Sequence, residues 1–125
     1  MRNVYLFIIA LFFVLNSYSQ NLQNAKWYFG KKAGISFLPT PAVPVALAGG
    51  MTESNESCAT VSDQSGNLLF YTDGVTVWSK NHTVMLNGTG LKGHKSSTQG
   101  AVIVPKPGDP DNYYIITISG VTDDG

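Results

Sequence analysis

Two aspartates beside a strand-like stretch are the first candidates for chemistry in this sequence. Asp63 and Asp73 lie on either side of the run Leu68–Thr72, in "SDQSGNLLFYTDG". A glycosidase needs two carboxyl groups about 5–9.5 Å apart across a cleft. Five strand residues at about 3.3 Å each would hold these two roughly 16 Å apart, so they cannot share one site. We therefore interpret each as a turn residue that accepts backbone N–H bonds.

The candidate nucleophiles are one cysteine and one hydroxyl-rich segment. Cys58 is the only cysteine, which excludes a disulfide within the chain and suits a buried, inert thiol inside a strand. The segment "GHKSSTQG", residues 93–100, places three hydroxyl side chains beside His94 without a G-x-S-x-G elbow. It is better interpreted as a polar loop whose hydroxyls satisfy backbone groups. No catalytic residue is predicted.

Metal ligands are few in this sequence. His82 and His94 are the only histidines, and zinc needs three or four ligands. The segment "DPDN" concentrates oxygen atoms of the kind that calcium binds, with Asp109, Asp111 and Asn112 as the candidate ligands. The same composition is ordinary turn chemistry, which we favour. The sequence therefore predicts no cofactor, with calcium at this loop as the alternative.

The first residues of the chain differ from all that follow. Arg2 precedes an apolar run, Val4–Leu15, and small residues follow before Gln20. This run is shorter than the roughly 17–25 residues that a membrane-spanning helix needs. It predicts a cleaved signal peptide, residues 1–19, and a protein that is secreted or held at the cell surface. No transmembrane segment is expected in the mature chain, residues 20–125.

The mature chain is close to neutral. Without Arg2 it has seven lysines against eight acidic residues, and only Lys31 and Lys32 are adjacent. A chain of this kind lacks the basic patch of a nucleic-acid-binding protein, so no nucleic-acid partner is expected.

Short β-rich runs separated by turn residues dominate the mature chain, and no helical periodicity is sustained. Thirteen glycines and six prolines suit an antiparallel protein with many turns. The sequence therefore predicts an all-β fold. The predicted strands are Lys26–Phe29, Ile35–Leu38, Val43–Leu47, Cys58–Ser62, Leu68–Thr72, Val75–Ser79, Thr83–Leu86, Ala101–Pro105 and Tyr113–Ser119.

Short connections predict antiparallel pairing between neighbouring strands. Asp73-Gly74 predicts a two-residue type I′ turn after Leu68–Thr72. With Thr83–Leu86 added, residues 58–86 form a predicted four-stranded up-and-down meander. Such a meander is the unit of a β-propeller blade, and it also occurs as one sheet of a sandwich. Alternation gives both faces of this sheet apolar residues, as expected for a sheet packed on both sides.

The sequence stops inside a turn signal, "GVTDDG". One blade with parts of its neighbours cannot close a propeller, which needs four or more. We therefore expect residues 20–125 to be a partial β-propeller-like region and an N-terminal fragment of a longer protein.

Four segments carry a family resemblance. They are "WYFGKKAGISF" (27–37), "CATVSDQSGNLLFYTDGVTVWSKNH" (58–82), "MLNGTGLKGHKSSTQGAVIVPKPG" (85–108) and "YYIITI" (113–118). In this order they resemble the N-terminal region of large exported proteins of gliding and related Bacteroidota. The resemblance implies a β-propeller-like region, followed in such proteins by PKD or other immunoglobulin-like domains and a type IX secretion sorting domain.

The resemblance covers nearly all of the mature chain and transfers no catalytic residue. The positions that match as fold determinants are Gly30, Gly34, Asp73, Gly74, Trp78, Gly88, Gly93 and Gln99. Leu86 stands where a proline is expected before Asn-Gly. This sequence contains no PKD or sorting domain, which puts the type IX route in question for the chain itself.

These features lead to one functional prediction and two alternatives. The prediction is a non-catalytic cell-surface or extracellular binding or structural module, linked to adhesion or gliding, whose partners are cell-surface polymers or proteins. The first alternative is the propeller portion of a secreted glycan- or peptide-acting hydrolase whose catalytic residues lie outside this chain. The second is an inactive fragment that aggregates through unpaired edge strands.

Overall fold

A computed structural model describes residues 22–38 and 43–120 of the chain. The predicted signal peptide, residues 1–19, lies outside the described residues. Within these ranges a single 3-10 turn, Leu22–Asn24, precedes eight strands. The strands are β1 (Lys26–Phe29), β2 (Ala33–Ser36), β3 (Val45–Leu47), β4 (Ala59–Ser62), β5 (Leu68–Thr72), β6 (Val77–Ser79), β7 (Ala101–Lys106) and β8 (Asp109–Thr117). The predicted all-β class is confirmed.

All strand pairing follows chain order and is antiparallel. The first sheet contains β1, β2 and β3, the middle sheet contains β4, β5 and β6, and β7 pairs with β8 to form the hairpin. The predicted antiparallel pairing of neighbouring strands is confirmed. The described sheets are open and do not close into a propeller. No helix in the described ranges combines the length and the hydropathy of a membrane span.

The predicted strand Thr83–Leu86 is reduced to an isolated bridge between Trp78 and Val84. The chain turns soon afterwards at Asn87, whose φ of 58° lies in the left-handed region that asparagine tolerates. The predicted four-stranded meander over residues 58–86 therefore consists of three strands and one bridge.

The turn after β5 is longer than predicted. Thr72 pairs with Val77, so residues 73–76 form a four-residue connection where two residues were expected. The carboxylate of Asp73 accepts N–H bonds from Val75 and Thr76 at 3.0 and 2.8 Å. This bonding between side chain and backbone stabilises the wider turn in place of the type I′ turn.

The hairpin turns earlier than predicted. β8 begins at Asp109 and not at Tyr113, because Asp109 pairs with Lys106 of β7. Gly108 has a φ of 74°, which only glycine adopts without strain in so tight a turn. The segment "DPDN" therefore starts a strand, where the sequence predicted a loop.

One face of the middle sheet packs against the first sheet. Tyr28 of β1 stacks on Tyr71 of β5 with ring centroids 4.8 Å apart, and Tyr71 stacks on Trp78 of β6 at 5.5 Å. Leu68 completes this buried cluster. Each aromatic pair adds about 0.5–1.5 kcal/mol to the stabilisation from burial of the rings.

The opposite face of the middle sheet packs against the hairpin. Val61, Phe70 and Val77 form the buried cluster on this side. The partly buried residues that contact this cluster are Leu69, Leu91, Ile103, Tyr113 and Ile115. The middle sheet is thus packed on both sides, as its alternation predicts.

A β-bulge in the pairing of β4 with β5 changes which face of the sheet Leu68 occupies. Val61 pairs with Phe70 but Ser62 pairs with Leu68, so Leu69 is the extra residue. An extra residue reverses the alternation of side chains beyond it. Leu68 therefore lies in the cluster of Tyr71, although simple alternation would place it on the face of Phe70.

The hydroxyl of Tyr71 ties the core to two loops. Tyr71 is 0% exposed. Its hydroxyl oxygen accepts the Met51 N–H at 3.2 Å and forms a 2.9 Å hydrogen bond with Nδ1 of His82. Burial raises the pKa of the Tyr71 phenol above its ordinary value, which keeps the hydroxyl proton available as a donor.

Tyr71→Phe is expected to destabilise the protein by about 1–3 kcal/mol, because the Met51 N–H and Nδ1 of His82 lose the hydroxyl group that they bond at the edge of the core. Urea unfolding followed by circular dichroism measures the change. Tyr113→Phe is the matched control, since the ring of Tyr113 packs edge-on against Phe70 and its hydroxyl makes no hydrogen bond within the described residues. Equal unfolding midpoints for the two variants would contradict this account.

Candidate functional site

Three connecting segments meet at one place on the fold. They are residues 55–57 before β4, residues 73–76 after β5, and residues 93–98 before β7. We name this surface the loop platform. The Gly93 N–H donates to the Gly74 carbonyl at 3.0 Å, which joins the second segment to the third. A side chain at Gly93 would collide with that carbonyl group, so the close contact requires glycine.

Lys95 is the residue on which the loop platform converges. The three successive N–H groups of residues 55–57 donate to its carbonyl oxygen, at 3.1, 3.1 and 3.3 Å. Its ammonium group lies 3.8 Å from Oδ2 of Asp73. One residue therefore connects all three segments, through its backbone on one side and its side chain on the other.

The carboxylate of Asp73 bonds the backbone of its own turn. Its side chain is 1% exposed. Oδ1 accepts the N–H groups of Val75 and Thr76, and Oδ2 faces Lys95. The Thr72 hydroxyl donates to the Thr76 carbonyl at 2.7 Å and also accepts the Gly74 N–H at 2.9 Å. The interpretation of Asp73 as a turn residue is confirmed by these bonds.

The exposed side of the loop platform carries polar side chains in contact with each other. Nδ2 of Asn55 donates to Oγ of Ser96 at 3.3 Å, and Oγ1 of Thr98 donates to Oε2 of Glu56 at 2.9 Å. Amide, hydroxyl and carboxylate groups therefore face solvent on loops that backbone hydrogen bonds and the buried Asp73 hold in place. Such a surface can hydrogen-bond a polar ligand without a deep pocket.

His94 bonds the backbone of its own loop. Its Nδ1 accepts the backbone N–H of Ser96 at 3.2 Å, and its carbonyl accepts the N–H of Ser97 at 3.1 Å. These are bonds of a turn, and residues 93–100 form a loop as predicted.

Asp63 lies at the other end of β5 from Asp73, so the structure does not bring the two carboxylates together. Oδ1 of Asp63 accepts the N–H groups of Ser65 and Asn67 at 2.8 and 2.9 Å, and Oδ2 accepts the Asn67 side chain at 3.0 Å. Hydrogen bonds from the side chain and the backbone of Asn67 hold the pKa of Asp63 below its ordinary value. The predicted turn role is confirmed here also.

The calcium candidates occupy the start of β8. Oδ2 of Asp109 accepts bonds from Nζ of Lys106 and Nδ2 of Asn112, both at 2.9 Å. These two contacts, with Lys106 the stronger, hold the pKa of Asp109 below its ordinary value. Asp111 and Asn112 both line a groove of about 340 Å³ with Phe70 and other residues. Calcium binding by Asp109, Asp111 and Asn112 stays a prediction, and the described residues hold no cluster of three or more His, Cys, Asp or Glu side chains.

The remaining candidates belong to the core side of the fold. The imidazole of His82 packs against Tyr28 at 5.2 Å and bonds the Tyr71 hydroxyl. Cys58 lies one residue before β4, half-buried, and burial raises the pKa of its thiol. A raised thiol pKa disfavours the thiolate that a nucleophile requires.

Comparison of the chain with protein-family models, with curated proteins and with solved structures finds no match in any of the three.

Lys95 is the residue of the candidate site that the sequence did not indicate. Its role depends on a backbone carbonyl oxygen, which every residue has, so no residue type could signal it. Four buried hydroxyl oxygens without a hydrogen-bond partner among the described residues were also not predicted. They belong to Thr52, Ser54, Ser57 and Ser62.

Asp73→Ala is expected to cost about 2–4 kcal/mol, because the N–H groups of Val75 and Thr76 lose their acceptor inside the fold. Asp73→Asn keeps an acceptor oxygen and removes only the charge that faces Lys95, so it should cost less. Chemical unfolding curves of both variants measure the difference. The account fails if the asparagine variant is the less stable of the two.

The Asp63 turn should weaken in acid. A carboxyl group whose folded-state pKa is depressed contributes stability above its unfolded-state pKa, about 3.9 for aspartate. That contribution disappears as the pH falls through the lower folded-state value. The stability advantage of the wild type over Asp63→Asn should therefore shrink between about pH 5 and about pH 2. Carbon-13 NMR of the Asp63 carboxyl group checks the cause, and a titration midpoint at or above the ordinary aspartate value would refute it.

Proposed function

We propose that this chain is an exported, non-catalytic binding or structural module of the cell surface or the extracellular space. The loop platform carries the proposal. It presents exposed polar side chains on loops, and the loops are held by the hydrogen bonds to the Lys95 carbonyl and by the buried carboxylate of Asp73. Binding residues are concentrated on loops that a rigid scaffold positions.

The side chains that could act as an acid or a base favour a structural role. Asp73 and Asp63 each accept the N–H groups of their own turn. His94 accepts a backbone N–H, and His82 bonds a buried tyrosine. Each of these groups is engaged in holding the fold, which supports a binding role over a hydrolytic one.

We propose that residues 1–19 direct export and that the sheets belong to a β-propeller-like region of a longer surface protein linked to adhesion or gliding. The apolar leader supports export. The order of the sheets supports a propeller-like arrangement, because each sheet is local in sequence and the middle sheet contacts its neighbours on both faces.

The ligand class that suits the loop platform is a polyhydroxylated surface polymer. Amide and carboxylate groups of Asn55 and Glu56 and the hydroxyls of Ser96 and Thr98 match the donors and acceptors of sugar hydroxyls. Protein partners of the cell surface would use the same groups.

An array of bacterial surface polysaccharides, probed with the chain from Gln20 onward, tests the proposal. Binding to at least one polysaccharide is expected. Asn55→Ala should weaken it about tenfold, which corresponds to about 1.4 kcal/mol. Asn81→Ala is the matched control, since Asn81 is exposed and lies outside the loop platform.

The same preparations distinguish the hydrolase alternative. Incubation with the bound polysaccharide and with unfolded protein should release neither new reducing ends nor peptides. Product release that His94→Ala abolishes would overturn the non-catalytic role. Binding that Asn81→Ala weakens as much as Asn55→Ala would remove the loop platform from the account.

A further inference from the structure

A groove lies between the start of β8 and the segment that follows β6. Its buried and half-buried lining is apolar and includes Phe70 and Tyr113. Three exposed polar side chains also line it, and they are Asn87, Asp111 and Asn112. The volume of about 340 Å³ lies within the roughly 300–1,000 Å³ of ligand pockets. We name this surface the Asp111 groove.

The Asp111 groove adjoins a second depression of about 280 Å³. Asp111, Phe70 and Tyr113 are among the residues that line both, whereas Leu69 and Pro110 line the second alone. Asp111 therefore lies where the two depressions meet, with apolar side chains on either side of it. A site of this form suits an elongated ligand that carries one polar group between two apolar groups.

Hydrogen bonds hold both walls of the groove in place. On one wall the Met85 N–H donates to the Val77 carbonyl at 3.0 Å, and the Val77 N–H donates to the Gly88 carbonyl at 2.7 Å. A side chain at Gly88 would collide with the carbonyl oxygens of Met85 and Val77, so this contact requires glycine. On the other wall the Asp109 carboxylate bonds Lys106. The groove is therefore formed in advance, which lowers the entropic cost of binding a ligand.

Asp111 supplies an unpaired negative charge. Its carboxylate forms no hydrogen bond and no ion pair within the described residues, whereas the carboxylate of Asp109 is paired with Lys106 at 2.9 Å. No lysine, arginine or histidine is among the described residues that line either depression. The amide oxygens of Asn87 and Asn112 add neutral hydrogen-bond acceptors. A carboxylate and two amide oxygens beside aromatic rings complement a cationic group that has several donors.

We propose that the Asp111 groove binds an arginine side chain in an extended segment of a partner protein, with an apolar residue on each side of the arginine. A guanidinium group donates two parallel hydrogen bonds to a carboxylate and stacks on aromatic rings, whereas an ammonium group acts as a point charge. Phe70 and Tyr113, whose rings pack edge-on at 5.4 Å, supply the aromatic surface. The apolar side chains of the two depressions contact the neighbours of the arginine.

The Asp111 groove is separate from the loop platform. The two surfaces have no residue in common. His94 of the loop platform bonds the carbonyl of Ile118, just beyond the end of β8, whereas Asp111 lies near the beginning of that strand. Residues 111 to 118 span on the order of 23 Å in extended conformation. Arginine recognition can therefore succeed or fail independently of the proposed polymer binding.

Titration of a blocked pentapeptide into the nitrogen-15-labelled chain from Gln20 onward tests the proposal. The peptide has arginine at its centre and leucine on either side. Backbone amide NMR signals should shift at residues 85–91 and 111–115 and give a dissociation constant. The same peptide with citrulline, an uncharged isostere of arginine, should bind about tenfold more weakly. Asp111→Asn should cause a similar loss, and the two changes together should lose little more, because both remove the same contact.

The control variants separate this contact from other effects. Glu53→Gln also removes one exposed carboxylate, outside the groove, so it should leave the peptide affinity unchanged. Leu86 lines the groove and is 94% exposed, so Leu86→Ser should weaken the pentapeptide about threefold and leave the binding of arginine amide alone unchanged. Asp111→Asn should keep the wild-type unfolding midpoint and polysaccharide binding.

Five results would overturn the proposal. The first is the absence of shifts at the groove up to millimolar peptide. The second is equal affinity for the arginine and citrulline peptides, and the third is equal affinity for a lysine peptide, which would contradict the role of the guanidinium plane. The fourth is a loss with Glu53→Gln as large as with Asp111→Asn. The fifth is binding that EDTA abolishes, which would assign Asp111 to the predicted calcium ion.

Discussion

The fold depends on the burial of both faces of one small sheet. The middle sheet has only three strands, and a sheet of that size is stable only when an apolar face packs against another element. β5 supplies the central side chains for both sides, with Tyr71 towards the first sheet and Phe70 towards the hairpin. The first sheet and the hairpin each contact the rest of the described fold chiefly through this sheet. Loss of either cluster would therefore uncouple a neighbouring sheet as well.

The same strand that holds the core also positions the loop platform. β5 ends at Thr72, and the next residue is the buried Asp73, whose carboxylate organises the turn and faces Lys95. Asp73 thus links residues 93–98 to β5, and aromatic stacking at Tyr71 holds β5 in the core. This continuity explains how exposed side chains on irregular loops can keep one arrangement, although the loops have no regular secondary structure.

The sequence predicts best where local pattern and burial agree. Leu68–Thr72 is an apolar run bounded by turn residues, and its predicted ends are the observed ends of β5. The antiparallel pairing follows because the links are too short for any crossover. The predictions fail where a side chain or a register competes with local propensity. Asp73 widens its turn by bonding two backbone N–H groups, and Lys106 pairs with Asp109 and so draws "DPDN" into a strand.

The candidate site was less predictable than the fold for a physical reason. The turn roles of Asp63 and Asp73 follow from residue type, because aspartate bonds nearby backbone N–H groups wherever turns form. Lys95 is placed by its own carbonyl oxygen, which accepts hydrogen bonds from three N–H groups of a segment about forty residues earlier in the chain. Contacts of that kind depend on where the sheets lie, and they can be found only after the packing is known.

The hairpin packs only one of its two apolar faces against the middle sheet. Its two strands carry apolar side chains on both faces, so contact with the middle sheet covers one face and leaves the other in water. The first sheet has the same imbalance, with Trp27 and Phe29 outside and Tyr28 inside. An isolated two-stranded ribbon is marginally stable in water, and exposed apolar sheet surface favours association. Only the middle sheet is therefore covered on both faces within the described residues. The chemistry of its two outer faces calls for further sheet packing, while the polar loop platform remains free for contact with other molecules.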